Sequence, residues 1–315
     1  MINIYYTDKE TKEYGQINEY KNGSWIDMIN PSENEIKSVC ENLKIKEDFI
    51  RYSLDFEEKA RIDIEDEDNT ILFIVDVPIV EKEAGLEVYS TMPVGIIFVR
   101  DDFLITVSIK KNQIIEECVK GNMKNFGTYK KSRFLLQILY KNASYYLMYL
   151  KLINKETQIA ENVLKTSLRN EELLKMLALE KSLVYFTTSL KSNEIVMEKT
   201  ARGKIVKLYE DDEDILEDAI IENKQAIEMS KIYNDILNGT MDTYASIISN
   251  NLNTVMKLLT SITIILAIPT LIASFWGMNV PVPFQGRTYG FVLMIFISLV
   301  VTFTAVILLK KKDLL

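Results

Sequence analysis

Histidine is absent from this chain of 315 residues, and cysteine occurs only twice. The first absence removes the Ser-His-Asp and Cys-His catalytic arrangements together with every His-built zinc site. Cys40 and Cys118 have no short metal-type spacing, so they read as free thiols in helical segments of a protein from a reducing compartment. Any metal held here is held by oxygen, the donor that hard cations prefer. Clustered positive charge is also missing. The net charge of −8 argues against a nucleic-acid partner. No Gly-x-x-x-x-Gly-Lys-Ser/Thr loop occurs, so no nucleotide is expected to drive the protein. The first residues, Met-Ile-Asn-Ile-Tyr-Tyr-Thr-Asp, lack a basic stretch leading into an apolar run, so no signal peptide is expected. Paired carboxylates without His or a pocket signature suggest no reaction, and the expectation is that the chain is not an enzyme.

Charge is missing locally as well. Charged residues make up 26% of the chain, yet none lies between Leu258 and Gly286. Leu258 to Trp276 and Tyr289 to Leu309 are uncharged apolar stretches of 19 and 21 residues. At 1.5 Å per residue either is long enough to cross a hydrocarbon core of roughly 30 Å. A large water-facing domain anchored by a two-helix hairpin follows. Lys310, Lys311 and Lys312 close the second stretch, while the loop 277–288 carries only Arg287. The positive-inside bias then places both termini in the cytoplasm and the loop outside.

What is present before the hairpin divides in two. Ile2–Tyr6, Thr70–Val77, Val94–Val99 and Phe103–Ile109 are rich in Ile, Val and Phe between turn residues, and read as strands. Asn30-Pro31-Ser32-Glu33 opens a helix through about Leu43, with Pro at an early helical position. From about Ser132 onward, 131–165, 170–191 and 193–206 show hydrophobic residues at helical spacing. Asp211 to Trp276 contains one Gly, Gly239, and one Pro, Pro269, and otherwise reads as unbroken helix. The layout expected is an α/β domain over 1–130, helical and stalk segments over 131–257, spans at 258–276 and 289–309 flanking loop 277–288, and a basic tail at 310–315.

One periodicity runs along that long helix. Counted back from Gly277 in alternating threes and fours, the chain meets Ser274, Thr270, Ala267, Thr263, Thr260, Met256, Asn253, Ser249, Ser246, Asp242 and Gly239. The positions between, such as Leu258, Leu259, Ile262, Ile265, Leu266 and Ile268, are bulky and apolar. Such a stripe of small and polar side chains serves either a helix-packing seam or the wall of a water-filled pore. A single helix cannot enclose water, so the pore reading requires a symmetric ring of identical chains. Met256 is either an apolar constriction that gates by dewetting or ordinary packing.

The segment Pro269-Thr270-Leu271-Ile272-Ala273-Ser274-Phe275-Trp276-Gly277-Met278-Asn279, followed by a second span and a Lys-rich end, resembles the CorA magnesium-transporter family. Trp25-Ile26-Asp27 with Asn30-Pro31, Leu179 to Phe186, and Asn253 to Thr260 extend the resemblance over the whole chain, tightest from about residue 175. It implies a homopentameric divalent-cation channel in the lipid of the cell (inner) membrane. The fold implied is a cytoplasmic α/β domain, an α/β/α sandwich, followed by a long stalk helix and two C-terminal transmembrane helices, the five copies forming a funnel. Gly277, Met278 and Asn279 would form the selectivity loop, with Gly277 permitting close backbone approach and unusual dihedrals. Asn253, Met256, Leu259, Thr263, Ala267, Thr270 and Ser274 match family pore-lining positions; Thr260 joins them from the stripe. Mg²⁺ gives up its water reluctantly, and a ring of Asn279 amides can accept hydrogen bonds from the hydrated ion without stripping it. Two departures stand out: Pro269 sits one place later than in familiar members, and the outer loop 280–288 has no acid. Transport of another divalent ion, Co²⁺, Ni²⁺ or Zn²⁺, is the alternative; a membrane-anchored scaffold or sensor is a further one.

Asp211, Asp214, Asp218 and Glu222 recur at spacings of three and four and share one helix face. They form either a solvated stripe or, by the resemblance, a regulatory Mg²⁺ site between subunits, with Asp218 at the sensor position. Mg²⁺ is thus expected as both substrate and regulatory ligand. The N-terminal partner of Asp218 is expected within Asp63-Ile64-Glu65-Asp66-Glu67-Asp68.

Overall fold

In the computed structural model, β-branched and aromatic runs form seven strands among the described residues, and the central ones, β3, β5, β6 and β7, alternate their side chains between two covered faces. The strands are β1 (Ile2–Thr7), β2 (Tyr14–Ile17), β3 (Trp25–Ile29), β4 (Arg61–Glu65), β5 (Thr70–Glu83), β6 (Leu86–Val99) and β7 (Phe103–Ser108). The helices are α1 (Glu33–Leu43), α2 (Glu47–Tyr52), α3 (Gln113–Val119), α4 (Lys131–Thr166), α5 (Asn170–Ala201), α6 (Glu210–Trp276) and α7 (Thr288–Lys311). The structure describes the chain apart from residues 66–68, 84–85, 101, 122, 124, 168–169, 203–204, 285, 313 and 315; the side chains of 83, 86, 166, 210 and 211 also lie outside the described set.

The sheet order is β2-β1-β3-β7-β6-β5-β4, with β3 and β7 parallel and all other neighbours antiparallel. Ile26, Met28, Leu72, Ile74, Ile97, Val99, Ile105 and Val107 point to one face, where α1 and α2 cover them. Trp25, Phe73, Val75, Val94, Ile96, Phe98 and Leu104 point to the other, against residues of α3, α4, α5 and α6. This is the three-layer sandwich that the resemblance implied. Gly95 in β6 allows α2 to sit down on the sheet, since a Cβ there would meet the Ser53 side chain at 1.8 Å.

Several elements differ from the sequence expectation. β3 was not foreseen because a strand covered on both faces loses its alternation, and four of its five residues are buried. β4, Arg-Ile-Asp-Ile-Glu, was read only as part of an acidic run. α5 is one helix from Asn170 to Ala201, not two, because Asn193 is buried as a sheet contact and caps nothing. Pro31 lies outside α1; Ser32 is the cap, in a reciprocal capping box with Glu35.

Two buried polar clusters tie strands to one another and the sheet to its helices. On β3 and β7, the Trp25 indole donates to Thr106 Oγ1 at 2.9 Å, and Thr106 donates to Asp27 Oδ1 at 2.8 Å. Asp27 Oδ2 is buried without a partner, and burial pushes its carboxyl up to about 6 against the hydrogen bond from Thr106. On β5, Asp76 lies two residues beyond the end of the β4 ladder at Ile74. Its backbone N–H donates to Asn193 Oδ1, and its carbonyl accepts from Asn193 Nδ2, Asn142 Nδ2 and the Tyr146 hydroxyl.

The Asp27 environment makes a pH prediction. A carboxyl whose folded pKa lies above its unfolded value adds stability at low pH and loses it as pH rises between about 4 and about 6. Two pKa units correspond to roughly 3 kcal/mol. Asp76, also pushed up by burial to about 6, adds a second slope of the same sign. In Asp27→Asn the fall in melting temperature from pH 5 to pH 7.5 is expected to shrink by about half. An unchanged fall, measured by thermal melts of the purified full-length protein, would show that Asp27 does not titrate in this window.

The chain resolves into two compact units, Met1–Thr240 and Met241–Leu315, and α6 contributes to both. In the second unit, Ser261 Oγ donates to the Leu314 carbonyl and Trp276 Nε1 to the Pro283 carbonyl. Gly290 is buried at the start of α7, where a Cβ would approach the Phe284 carbonyl to 2.6 Å. The loop between α6 and α7 therefore closes tightly only over glycine.

Candidate ion pathway and regulatory acids

The stripe of α6 is built by helix geometry alone. Asn253, Met256, Leu259, Thr260, Thr263, Ala267, Thr270 and Ser274 are all exposed in the single chain. The hydroxyls of Thr260, Thr263 and Thr270 donate to the carbonyls of Met256, Leu259 and Leu266 at 2.8, 2.8 and 3.1 Å. A threonine bonded back to its own helix has spent its donor, so the oxygen lone pairs are what it presents outward. Those are the groups that accept hydrogen bonds from the waters of a hydrated cation. Thr263, Ala267, Thr270 and Ser274 line one shallow groove with Leu266, Leu271 and Phe275. The helices α6 and α7 each contain a stretch long and apolar enough to cross a membrane, and almost none of it is buried within the chain.

At the end of α6, the Gly277 N–H donates to the Ala273 carbonyl at 2.9 Å. Gly277 does not take a positive φ, so the unusual dihedral expected of it is not the reason for glycine here. A Cβ there would lie 3.2 Å from the Ala273 carbonyl oxygen, so a larger residue asks that carbonyl to give by a few tenths of an ångström. Met278 and Asn279 follow in the loop, both exposed. The Asn279 amide is exposed and makes no hydrogen bond to any described group.

The acidic face of α6 splits in the structure. Asp214 and Asp218 are exposed. Glu222 is half-buried; it accepts from the Ser144 hydroxyl and lies beside Tyr140, whose hydroxyl it pushes up in pKa. The Asp211 side chain lies outside the described residues. Asp212, which the face reading passed over, is the buried member: its Oδ1 accepts from Arg133 Nε at 2.8 Å. No spacing in the sequence marked Asp212, because its burial depends on Arg133 of α4, 79 residues earlier in the chain. Among the described residues no three Cys, Asp or Glu converge within one chain as a metal site. Of the expected N-terminal partners, Asp63 is paired with Arg61 and Glu65 with Lys46; Asp66, Glu67 and Asp68 lie outside the described residues.

Fold and candidate site together define a membrane protein with a large three-layer α/β domain and two C-terminal apolar helices, the first carrying a polar stripe into an open Asn loop. The sequence model of the CorA-like Mg2+ transporter protein family matches residues 20–311, and the chain belongs to that family, whose members are transporters and not enzymes. It is 27% identical over 298 residues to the cobalt/magnesium transport protein CorA of Methanocaldococcus jannaschii, covering 91% of this chain and 90% of that one. The complete structure of the CorA magnesium transporter from the same organism superposes with a TM-score of 0.82 at 25% identity, over 99% of this chain and 98% of that one. The full-length CmaX protein shares the fold, with a TM-score of 0.70 at 12% identity, over 96% of each chain.

Proposed function

We propose that this chain is a Mg²⁺ channel that passes the hydrated ion down its electrochemical gradient, as a homopentamer in the cell membrane with both termini in the cytoplasm. The observation that carries this reading is the exposed stripe of α6, whose hydroxyl lone pairs face outward and which ends in the unpartnered Asn279 amide. Five copies of the stripe enclose a polar path through the spans at 258–276, with 289–309 outside them. Asn253, Met256, Leu259, Thr260, Thr263, Ala267, Thr270 and Ser274 line it, and Gly277, Met278 and Asn279 form its outer mouth. The apolar flanks, exposed in one chain, are covered by lipid and neighbouring copies.

The test is uptake of Mg²⁺ into vesicles reconstituted with the protein, with Co²⁺, Ni²⁺ and Zn²⁺ as competitors. Saturable Mg²⁺ uptake, weakly inhibited by the others, is expected. Uptake of Co²⁺ alone, the other ion in the name of the M. jannaschii relative, would change the substrate and keep the pathway. No flux of any divalent ion from an assembled protein would leave a scaffold.

Regulation belongs to the same reading. Mg²⁺ bound at Asp218, Asp214, Asp211 and Glu222 against a neighbouring subunit cancels the repulsion between facing carboxylates and holds the channel closed. Asp218 is the leading member, because the family resemblance puts it at the sensor position and it is exposed, while Glu222 already serves Ser144. Vesicles preloaded with Mg²⁺ should take up little through the wild type and several-fold more through Asp218→Lys. Equal suppression of both proteins would remove Asp218 from the sensor.

A further inference from the structure

Nothing in the Asn279 side chain fixes where it stands, since its amide is exposed and bonded to no described group. Its place is set by the backbone of the connection between α6 and α7, residues 277–287. A connection of that length is costly to order unless contacts hold it. Here the contacts are on one side of it. The Trp276 indole N–H donates to the Pro283 carbonyl at 3.2 Å, so the last residue of α6 grips the chain seven residues on and closes a ring around 277–282. Pro281 inside that ring and Pro283 at its far end have fixed φ and no N–H of their own. Phe284 follows with φ at 65°, in the left-handed region that is unfavourable for a residue bearing a Cβ. The Arg287 N–H donates to the Phe284 carbonyl at 3.3 Å, and the Phe284 ring lies 6.2 Å from that of Tyr289.

These contacts meet on Gly290, which is buried in the first turn of α7. A Cβ there would lie 2.6 Å from the Phe284 carbonyl oxygen and 3.4 Å from Cζ2 of Trp276. The missing side chain lets the indole and the turn rest on the same spot. A residue held at positive φ persists only where its surroundings over-determine it, and here they do. A tryptophan at a membrane boundary ordinarily needs no more than its ring in the interface and its N–H toward water or headgroups. The Trp276 N–H is turned into its own chain instead, beside a position that has no room for a side chain.

We propose that Trp276 is a positioning residue for ion entry: held against Gly290, its indole sets where the loop presents the Asn279 amide. The inference rests on the reading of Gly277, Met278 and Asn279 as the outer mouth. Trp276 touches no ion; it acts on the pathway through the backbone from Gly277 to Pro283.

The experiment pairs two measurements on the full-length protein in vesicles. In the first, Asn279→Cys carries a nitroxide label, while Cys40 and Cys118 are buried and stay unlabelled. Adding Trp276→Phe, which keeps a ring beside Gly290 and removes the donor, should raise the label's mobility and narrow its spectrum. In the second, Asn279 is intact and Mg²⁺ uptake is followed against concentration. Trp276→Phe should raise KM by about fivefold, the worth of one hydrogen bond, with maximal rate and melting temperature unchanged. Gly290→Ala displaces the Phe284 carbonyl and should also raise KM. The double variant should raise it by less than the product of the two, since both act on one loop. An unchanged spectrum, or an unchanged KM beside an Asn279→Ala that has lost uptake, would make Trp276 an interfacial anchor and overturn the proposal. A changed spectrum beside an Asn279→Ala that still takes up Mg²⁺ normally would overturn the reading of the mouth, and the role of Trp276 with it.

Discussion

Mg²⁺ uptake into proteoliposomes is expected to collapse, by roughly a thousandfold, when Asn279 is replaced by Ala, with the protein still assembled. The fold has no stake in the side chain, which is exposed and bonded to no described group, so truncation leaves no buried group unsatisfied. The function has a large one. A hydrogen bond to the hydrated ion contributes about 1 kcal/mol net, and in the proposed pentamer five copies acting on one ion amount to about 5 kcal/mol, or between three and four decades. Asn279→Asp keeps the acceptor oxygens and should retain uptake. A fall of less than about twofold in Asn279→Ala, at equal incorporation, would place selectivity elsewhere.

Asn193→Ala is expected to destabilise the first unit by about 2–4 kcal/mol. In an ordinary sheet the backbone of Asp76 would pair with a neighbouring strand. Here β4 ends at Ile74, and the Asn193 amide replaces that strand by accepting from the Asp76 N–H at 2.9 Å and donating to its carbonyl at 2.8 Å. The carbonyl keeps Asn142 and Tyr146, but the N–H loses its acceptor in a site where Asn193 is 0% exposed. Asn193→Leu separates the two causes of loss. It refills the space and leaves the N–H unpaired, so it should be no more stable than Asn193→Ala. Recovery in Asn193→Leu, read from melting temperatures of the full-length protein, would assign the loss to packing.

These two residues also mark how far the chain could be read without coordinates. The place of Asn279 in a loop between two apolar stretches was legible because a membrane imposes local constraints, uncharged stretches of sufficient length and flanking lysines; the role proposed for it came from the family resemblance. Asn193 was not legible in this way. Read locally, it interrupts a helical pattern and looks like a boundary; its buried role exists only because a strand distant in sequence outruns its neighbour. The acids of α6 fall between. Their shared face followed from spacing, whereas the pairing of Asp212 with Arg133 and of Glu222 with Ser144 depended on where α4 packs.

By itself, then, the sequence determined the two apolar spans, the polar stripe, the Gly277-Met278-Asn279 loop and the mixed α/β character of the first domain, because each is written in contiguous residues at a fixed helical or strand period. Only the tertiary structure decided the strand order, the insertion of β3 beside β7 that brings Asp27 to Thr106, the continuity of α5 through Asn193, and the pairing of Asp212 with Arg133. Each of those joins groups tens of residues apart, and the contacts that stabilise them are long-range burial and hydrogen bonding, which no local pattern encodes.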